Sequence, residues 1–522
     1  MDQEYKKLLR DFHEAKWDEP IIFEMDTPGE RGVLVPEASE SIKDMIKDEL
    51  KIIPEGLRRR KAPALPEVGQ MRVNRHYMRL SQMTLGNDIS VDIGQGTCTM
   101  KYSPKVQEHL VRSNPDIVAI HPLQAESTVQ GLLEIYYKTE QYMKAISGMN
   151  AFSFQPGGGA QAIYTNALIV RKYFRDKGED RDEIVTTIFS HPADAGAPAT
   201  CGFKVIDLMQ DNELGYPTIE AFKAALSEKT AAIFITNPED TGIFNPRIAE
   251  YVKAAHDVGA LAVYDQANVN GIMGITRAKE AGFDLIHYNL HKTFSSPHGG
   301  MGPGVGALGA TDKLKDYLPV PQVKFDGEKY YLDQGIKNSI GKVRAFIGNA
   351  AIVVRVYMWV RSLGAEGIRE AAMCAVLNNQ YMVKKVSEIP GVTMYYADGK
   401  RRIEQCRYSW EQLMKDTGLG SDDVLRRLVD YGMEHYWQSH HPHIVPEPFT
   451  LEPTDSYSKK DIDEFVAVLQ QISWEAYNNP DIIRTAPHNA PVHGIKNYYE
   501  SDPKRVICSW RQYLKKKGKE DA

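Results

Sequence analysis

Between about residue 115 and residue 345 the chain alternates short apolar runs with helix-patterned stretches, which restricts its fold more than any other feature. Seven runs read as strands: 151–155, 185–190, 204–208, 231–236, 261–265, 284–289 and 305–309. Each is short and almost continuously apolar, and Gly, Pro, Asn or Asp residues bound many of them. Helical patterns, such as 219–226 and 248–256, fall between several of them. Strands that are apolar along their whole length are buried on both faces. The expected fold class is therefore α/β, with a mostly parallel sheet covered by helices.

The flanking sequence has a different texture. Residues 1–114 are polar and proline-punctuated, and are expected to form an N-terminal extension that wraps the core. A large domain is expected over 115–359. The apolar helix 350–362 bridges to a smaller α+β C-terminal domain over 360–485, with helices at 422–431 and 460–476 and a short strand at 392–396. Residues 486–522 read as a peripheral tail. At 522 residues, a large core and a second domain are both affordable.

Composition excludes several classes of function. A net charge of −6 offers no general attraction to nucleic acid or a membrane surface. The basic clusters Arg58-Arg59-Arg60-Lys61 and Lys515-Lys516-Lys517 are short and read as solvated surface. No run approaches the ~18 apolar residues of a membrane span, and the first residues lack the apolar stretch of a signal peptide. The five cysteines are scattered without metal or redox spacing, which suits a cytoplasmic chain.

Chemistry concentrates at the ends of the expected strands. The run 261–265 ends in Asp265, and the next run is followed by Leu290-His291-Lys292-Thr293-Phe294. After 151–155 comes Pro156-Gly157-Gly158-Gly159-Ala160, opening a helical stretch. A glycine loop at a helix start offers backbone N–H groups and a positive dipole end to a phosphate, here through Gly158, Gly159 and Ala160. A lysine and an acid on neighbouring strand ends are what pyridoxal 5′-phosphate (PLP) requires. The amine bonds the cofactor's aldehyde, and the carboxylate keeps its pyridine nitrogen protonated. Ligands of open α/β sheets bind beyond the carboxyl ends of the strands, so these residues should share one crevice. His291 is expected to contact the phosphate or position Lys292. Asn268 either bonds near the ring or caps a turn. The histidines His435, His440, His441 and His443 complete no zinc pattern, so no metal site is expected. The small-residue run from Gly94 to Tyr102 reads as a loop passing close to a ligand.

Taken together, Leu290-His291-Lys292-Thr293-Phe294 with Pro297-His298-Gly299-Gly300, and Thr97-Cys98-Thr99-Met100-Lys101-Tyr102, resemble the P protein of the glycine cleavage system. The similarity is greatest to the lysine-bearing subunit 2 of its split form. It extends through Arg75-His76-Tyr77, His121-Pro122-Leu123-Gln124, Tyr264-Asp265 with Ala267-Asn268, Val343-Arg344-Ala345-Phe346 and Glu452-Pro453-Thr454. The resemblance covers most of residues 70–490. It implies the PLP-dependent transferase fold type I (aspartate aminotransferase-like), with Lys292 and Asp265 as catalytic residues. Thr97, Cys98 and Lys101 become candidate substrate contacts.

For that family the implied reaction is decarboxylation of glycine, with transfer of the aminomethyl group to the lipoyl arm of the H protein. A lysine-less sister subunit and a dimer-based oligomer are also implied. The chain departs from the family run Ser-Ala-His-Gly-Thr-Asn-Pro-Ala, reading His191-Pro192-Ala193-Asp194-Ala195-Gly196-Ala197-Pro198 instead. With Pro198-Ala199 setting the register, the family's ring-stacking histidine falls on Asp194, and His191 replaces it only through a shifted loop. Both are candidates for cofactor contact. Two alternatives stand beside the glycine reading. One is a diverged PLP-dependent decarboxylase, lyase or transferase acting on another amino acid without the lipoyl carrier. The other is a silent scaffold, which would have no need of Lys292.

Overall fold

The computed structural model describes residues 3–518, apart from 33–34, 48–50, 52, 62, 87–88, 99, 298–303, 397–398, 441–443 and 492–508; the side chain of Thr97 also lies outside the described residues. The chain divides into two compact units, one of residues 1–10 with 89–485 and one of 11–88 with 486–522.

The larger unit is built on seven strands: β1 (Ala151–Ser153), β2 (Glu183–Thr187), β3 (Lys204–Leu208), β4 (Thr230–Thr236), β5 (Leu261–Asp265), β6 (Leu285–Asn289) and β7 (Gly306–Ala310). Their order across the sheet is β1-β7-β6-β5-β4-β2-β3. Only β7 pairs antiparallel with its neighbours, so the other strands share one direction. Burial on both faces explains the continuous apolar runs. In β4 and β5, Ala232, Phe234, Leu261 and Val263 enter one core, while Ile233, Ile235, Ala262 and Tyr264 enter the other.

Helices fill both sides. Helix α1 (Gln130–Ser147) buries Leu133, Tyr136 and Met143 in the core of Ile233. On the opposite side, α2 (Gly159–Lys177) buries Ala162, Ile169, Val170 and Phe174. Helices α3 (Pro192–Thr200), α4 (Ile219–Ala224) and α5 (Ile248–Asp257) follow β2, β3 and β4. Removing one of the fully buried large side chains, as in Ile233→Ala, costs about 2–5 kcal/mol. A hairpin of β8 (Gln322–Phe325) and β9 (Tyr330–Asp333) was not visible as apolar runs.

Helix α6 (Ala350–Val386) runs well past the expected 350–362 and is broken at Gly364, whose φ of 65° no regular helix accommodates. Beyond it, β10 (Thr393–Met394), β11 (Cys406–Ser409) and β12 (Pro448–Leu451) form an antiparallel sheet. Helices α7 (Ser421–Val429) and α8 (Lys459–Asn478) pack Leu428, Phe465 and Leu469 with Tyr408, Trp410 and Phe449. Ile93 joins this core, and its carbonyl accepts the Glu452 N–H at 3.0 Å, so the loop around Gly94 is built onto it.

The second unit holds the helix Gln70–Gln82, on which His76 and Arg79 meet Glu19 at 2.9 and 2.6 Å. In the same unit Phe23 packs on Trp510 with ring centroids 4.7 Å apart. Among the described residues, no helix is long and apolar enough to cross a membrane.

Candidate cofactor and substrate site

Sheet register sets the centre of the site. Thr236 of β4 pairs with Asp265 of β5, and Asp265 with His287 of β6, so these side chains form one row near the strand ends. Asp265 Oδ1 accepts the Ala267 N–H at 2.8 Å and lies 3.3 Å from His287 Nε2. Burial alone would raise the Asp265 carboxyl. Facing His287 and His191, with the Ala267 N–H and Lys292, reverses this and holds it below the usual carboxylate range. Burial also lowers His287, which keeps its ring uncharged.

Lys292 follows β6 in a tight turn, its N–H bonded to Asn289 O at 3.0 Å. The turn is pinned by the Thr293 hydroxyl, which accepts the Val269 N–H at 2.9 Å, and by Ser296 Oγ donating to Leu290 O at 2.7 Å. The lysine is 6% exposed. Burial pushes its amine down, but Cys98, Asp265, Glu452 and Asp240 face it and leave it raised overall. Lys292 and Asp265 are therefore buried together on adjacent strand ends.

The glycine loop sits beside them. Gly158 is the N-cap of α2, and no side chain caps that helix. Gln161 folds back to accept the Gly157 N–H at 2.6 Å and donates to Val343 O at 2.9 Å. A Cβ on Gly159 would lie 2.8 Å from Asn289 Nδ2, and one on Gly304 would lie 2.7 Å from Gly157 O and 3.0 Å from His291 Nδ1. Gly157 has Arg344 against it in the same way. The loop is thus a cradle that side chains would fill, with His291 beside it and uncapped N–H groups at its mouth. These residues fit a phosphate, as the Lys292–Asp265 pair fits an aldehyde and a pyridine nitrogen.

His191 and Asp194 occupy different places. Helix α3 starts directly at Pro192 with His191 as its N-cap, and Nδ1 accepts the Ala193 N–H at 3.0 Å. The His191 ring lines a cavity of 170 Å³ with His440, Asp240 and Arg407. Burial pushes it down to about 4, so the ring is neutral, and it faces Asp265 and Lys292. Asp194 lies in the first turn of α3, fully buried, and accepts from Thr236 Oγ1 at 3.4 Å. His191 therefore turns its ring towards Asp265 and Lys292, whereas Asp194 lies in the helix against the row of Thr236 and Asp265.

Other expected residues have structural partners. Asn268 donates to both Glu452 oxygens at 2.8 Å, and Asn270 donates to Oε1 at 2.6 Å. Lys101 pairs with Asp455 at 2.7 Å and lies 5.2 Å from the Trp359 ring. Cys98 is half-buried and faces Lys292. The Thr97 side chain, His298, the glycines 299 and 300, His441 and His443 lie outside the described residues. Among the described residues, no cluster of acids, histidines and cysteines could hold a metal ion.

Three features were missed in the sequence. Arg407 is paired with Asp240 at 2.7 Å and donates to Thr450 at 3.2 Å, and its strand, Cys-Arg-Tyr-Ser, carries no apolar pattern that would have marked it. Glu452 is fully buried and pushed up to about 7, mainly by burial, and it faces Lys292 and Lys101. Glu239, also raised to about 7 by burial, accepts from Gln210 Nε2 at 2.6 Å.

Comparison with known proteins follows these features closely. Residues 154–412 match the family described as aminotransferase class-V, and residues 371–489 match glycine dehydrogenase, C-terminal domain. The probable glycine dehydrogenase (decarboxylating) subunit 2 of Pyrococcus furiosus is 43% identical over 516 residues, covering 98% of this chain and 100% of that one. Its counterpart in Thermococcus kodakarensis is 42% identical with the same coverage. Among solved structures, an inhibitor-bound glycine decarboxylase (P-protein) of the glycine cleavage system superposes with a TM-score of 0.69 at 18% identity, over 84% of this chain and 100% of that one. A cysteine desulfurase from Escherichia coli reaches 0.57 at 13% identity, over 75% and 96%. The fold is fold type I of PLP-dependent enzymes.

Proposed function

The chain belongs to the family of glycine dehydrogenase (decarboxylating) subunit 2, and on that basis we propose that it decarboxylates glycine with PLP as the lysine-bearing subunit of the enzyme. The remaining aminomethyl group passes to the lipoyl arm of an H protein, and a lysine-less sister subunit completes a dimer-based assembly in the cytosol. One observation carries this reading: a buried lysine and a buried carboxylate meet on adjacent strand ends, beside an uncapped glycine cradle.

Each residue contributes a specific interaction. The N–H groups of Gly158, Gly159 and Ala160 hold the phosphate, with His291 alongside. The Lys292 amine anchors the aldehyde. Asp265, kept ionised by its neighbours, accepts the hydrogen bond of the ring nitrogen and holds its proton in place. When bound, the cofactor supplies the electron sink that takes up the electron pair left as CO₂ departs. The neutral His191 ring would face the bound cofactor without adding a charge that would compete with Asp265. The 170 Å³ cavity beside it admits a small amino acid. Glu452, near 7 and facing Lys292, can hold or release a proton at that amine.

The test is exchange of the glycine carboxyl carbon with bicarbonate, with sister subunit and H protein supplied. Exchange that depends on this chain supports the assignment. No exchange, together with turnover of a different amino acid, would replace glycine as the substrate.

A further inference from the structure

Asp194 is fully buried, in a place where an acid without a cation is costly. Its Oδ2 accepts a long bond of 3.4 Å from Thr236, while Oδ1 has no donor among the described residues. Beside Thr236 on the same row stands another acid, Asp265, whose carboxyl acts directly on that of Asp194. This contact is a product of the sheet. Thr236 and Asp265 are register partners, and the first turn of α3 lowers Asp194 onto that row. Glu239 after β4 adds a further repulsive charge, and His191, His287 and Lys292 face Asp265.

Two carboxyl groups in such contact, sealed from water, cannot both ionise, so one proton stays between them. The surroundings assign it. Burial and the Asp265 charge raise Asp194 far above the ordinary carboxylate range, whereas the neighbours of Asp265 hold that group below it.

We infer that Asp194 is a positioning residue whose carboxyl proton is donated to Asp265, so that the two acids meet the cofactor's ring nitrogen with one charge and one proton. A donor on Asp265 makes that carboxylate less basic and loosens its hold on the ring proton. Ionisation of Asp194 as the pH rises adds a second charge and tightens that hold.

The inference rests on the PLP reading of the site, and two measurements separate their failures. The first uses the cofactor-free chain. The infrared difference between wild type and Asp194→Asn at neutral pH should contain the C=O stretch of a protonated carboxyl in the wild type. Its absence overturns the inference, whether or not PLP binds. The second uses PLP labelled with ¹⁵N in the ring, its shift followed against pH. Wild type should show a step as the pH rises, and Asp194→Asn should keep the neutral-pH shift but lose the step. Asp194→Leu, with the donor removed, should move the shift towards a more fully protonated nitrogen. Three identical profiles overturn the inference. A chain showing the infrared band but binding no PLP refutes the cofactor reading and, with it, the role given to the pair.

Discussion

Replacing Glu452 with glutamine should flatten the pH dependence of the cofactor-free chain's stability. Burial pushes Glu452 up to about 7, against about 4.3 in an unfolded chain. Between those values the folded chain keeps a proton that the unfolded chain has released, so stability falls as pH rises through the window. Integrated across it, the loss is roughly 4 kcal/mol and is nearly complete by about pH 8. Glutamine has nearly the same shape and never ionises. Its oxygen, placed as Oε1, still accepts from the Asn268 and Asn270 amides. Urea-unfolding midpoints of both proteins at pH 4.5 and pH 8 provide the measurement. From the lower to the higher pH, the difference in stability should move by roughly 3 kcal/mol in favour of Glu452→Gln. The similar contribution of Glu239 is present in both proteins and cancels. Parallel curves would refute the reasoning, because they require Glu452 to ionise as freely in the folded chain as in the unfolded one.

Asp265→Ala should retain PLP through Lys292 and the cradle yet lose turnover by about 100-fold or more, and near-normal rates would make the acid structural. Gly159→Ala forces Asn289 to move, since the new Cβ lies 2.8 Å from its Nδ2. PLP affinity should fall about tenfold or more with the fold retained, and unchanged affinity would put the phosphate elsewhere. Arg407→Met strands the Asp240 carboxylate and should cost about 3–5 kcal/mol, most of it recovered in Arg407→Met/Asp240→Leu. Equal losses in the single and double variants would mean that the ion pair is not the reason.

The sheet was legible because its strands, apart from the edge strand β3, are largely buried on both faces. Runs 204–208 and 261–265 coincide with β3 and β5, and the other five overlap their strands to within a few residues. Helix α3 was hidden by composition. His-Pro-Ala-Asp-Ala-Gly-Ala-Pro-Ala reads as a loop, although Pro192 at the first helical position is compatible with a helix. Helix α6 was cut short because its later half is more polar and a glycine interrupts it. At the site, Lys292, Asp265 and the glycine loop declare themselves by residue type at strand ends. Glu452 and the Arg407–Asp240 pair do not, because their roles arise from contacts between distant segments, 182 residues apart for Asn270 and Glu452.

The anchoring amine can be identified directly. Wild-type protein reconstituted with PLP should absorb in the visible, and borohydride reduction followed by peptide mapping should place the pyridoxyl group on residue 292. Lys292→Ala should remain colourless and unlabelled. A wild type that stays colourless with PLP, or a label fixed on any other lysine, would contradict the account at its root.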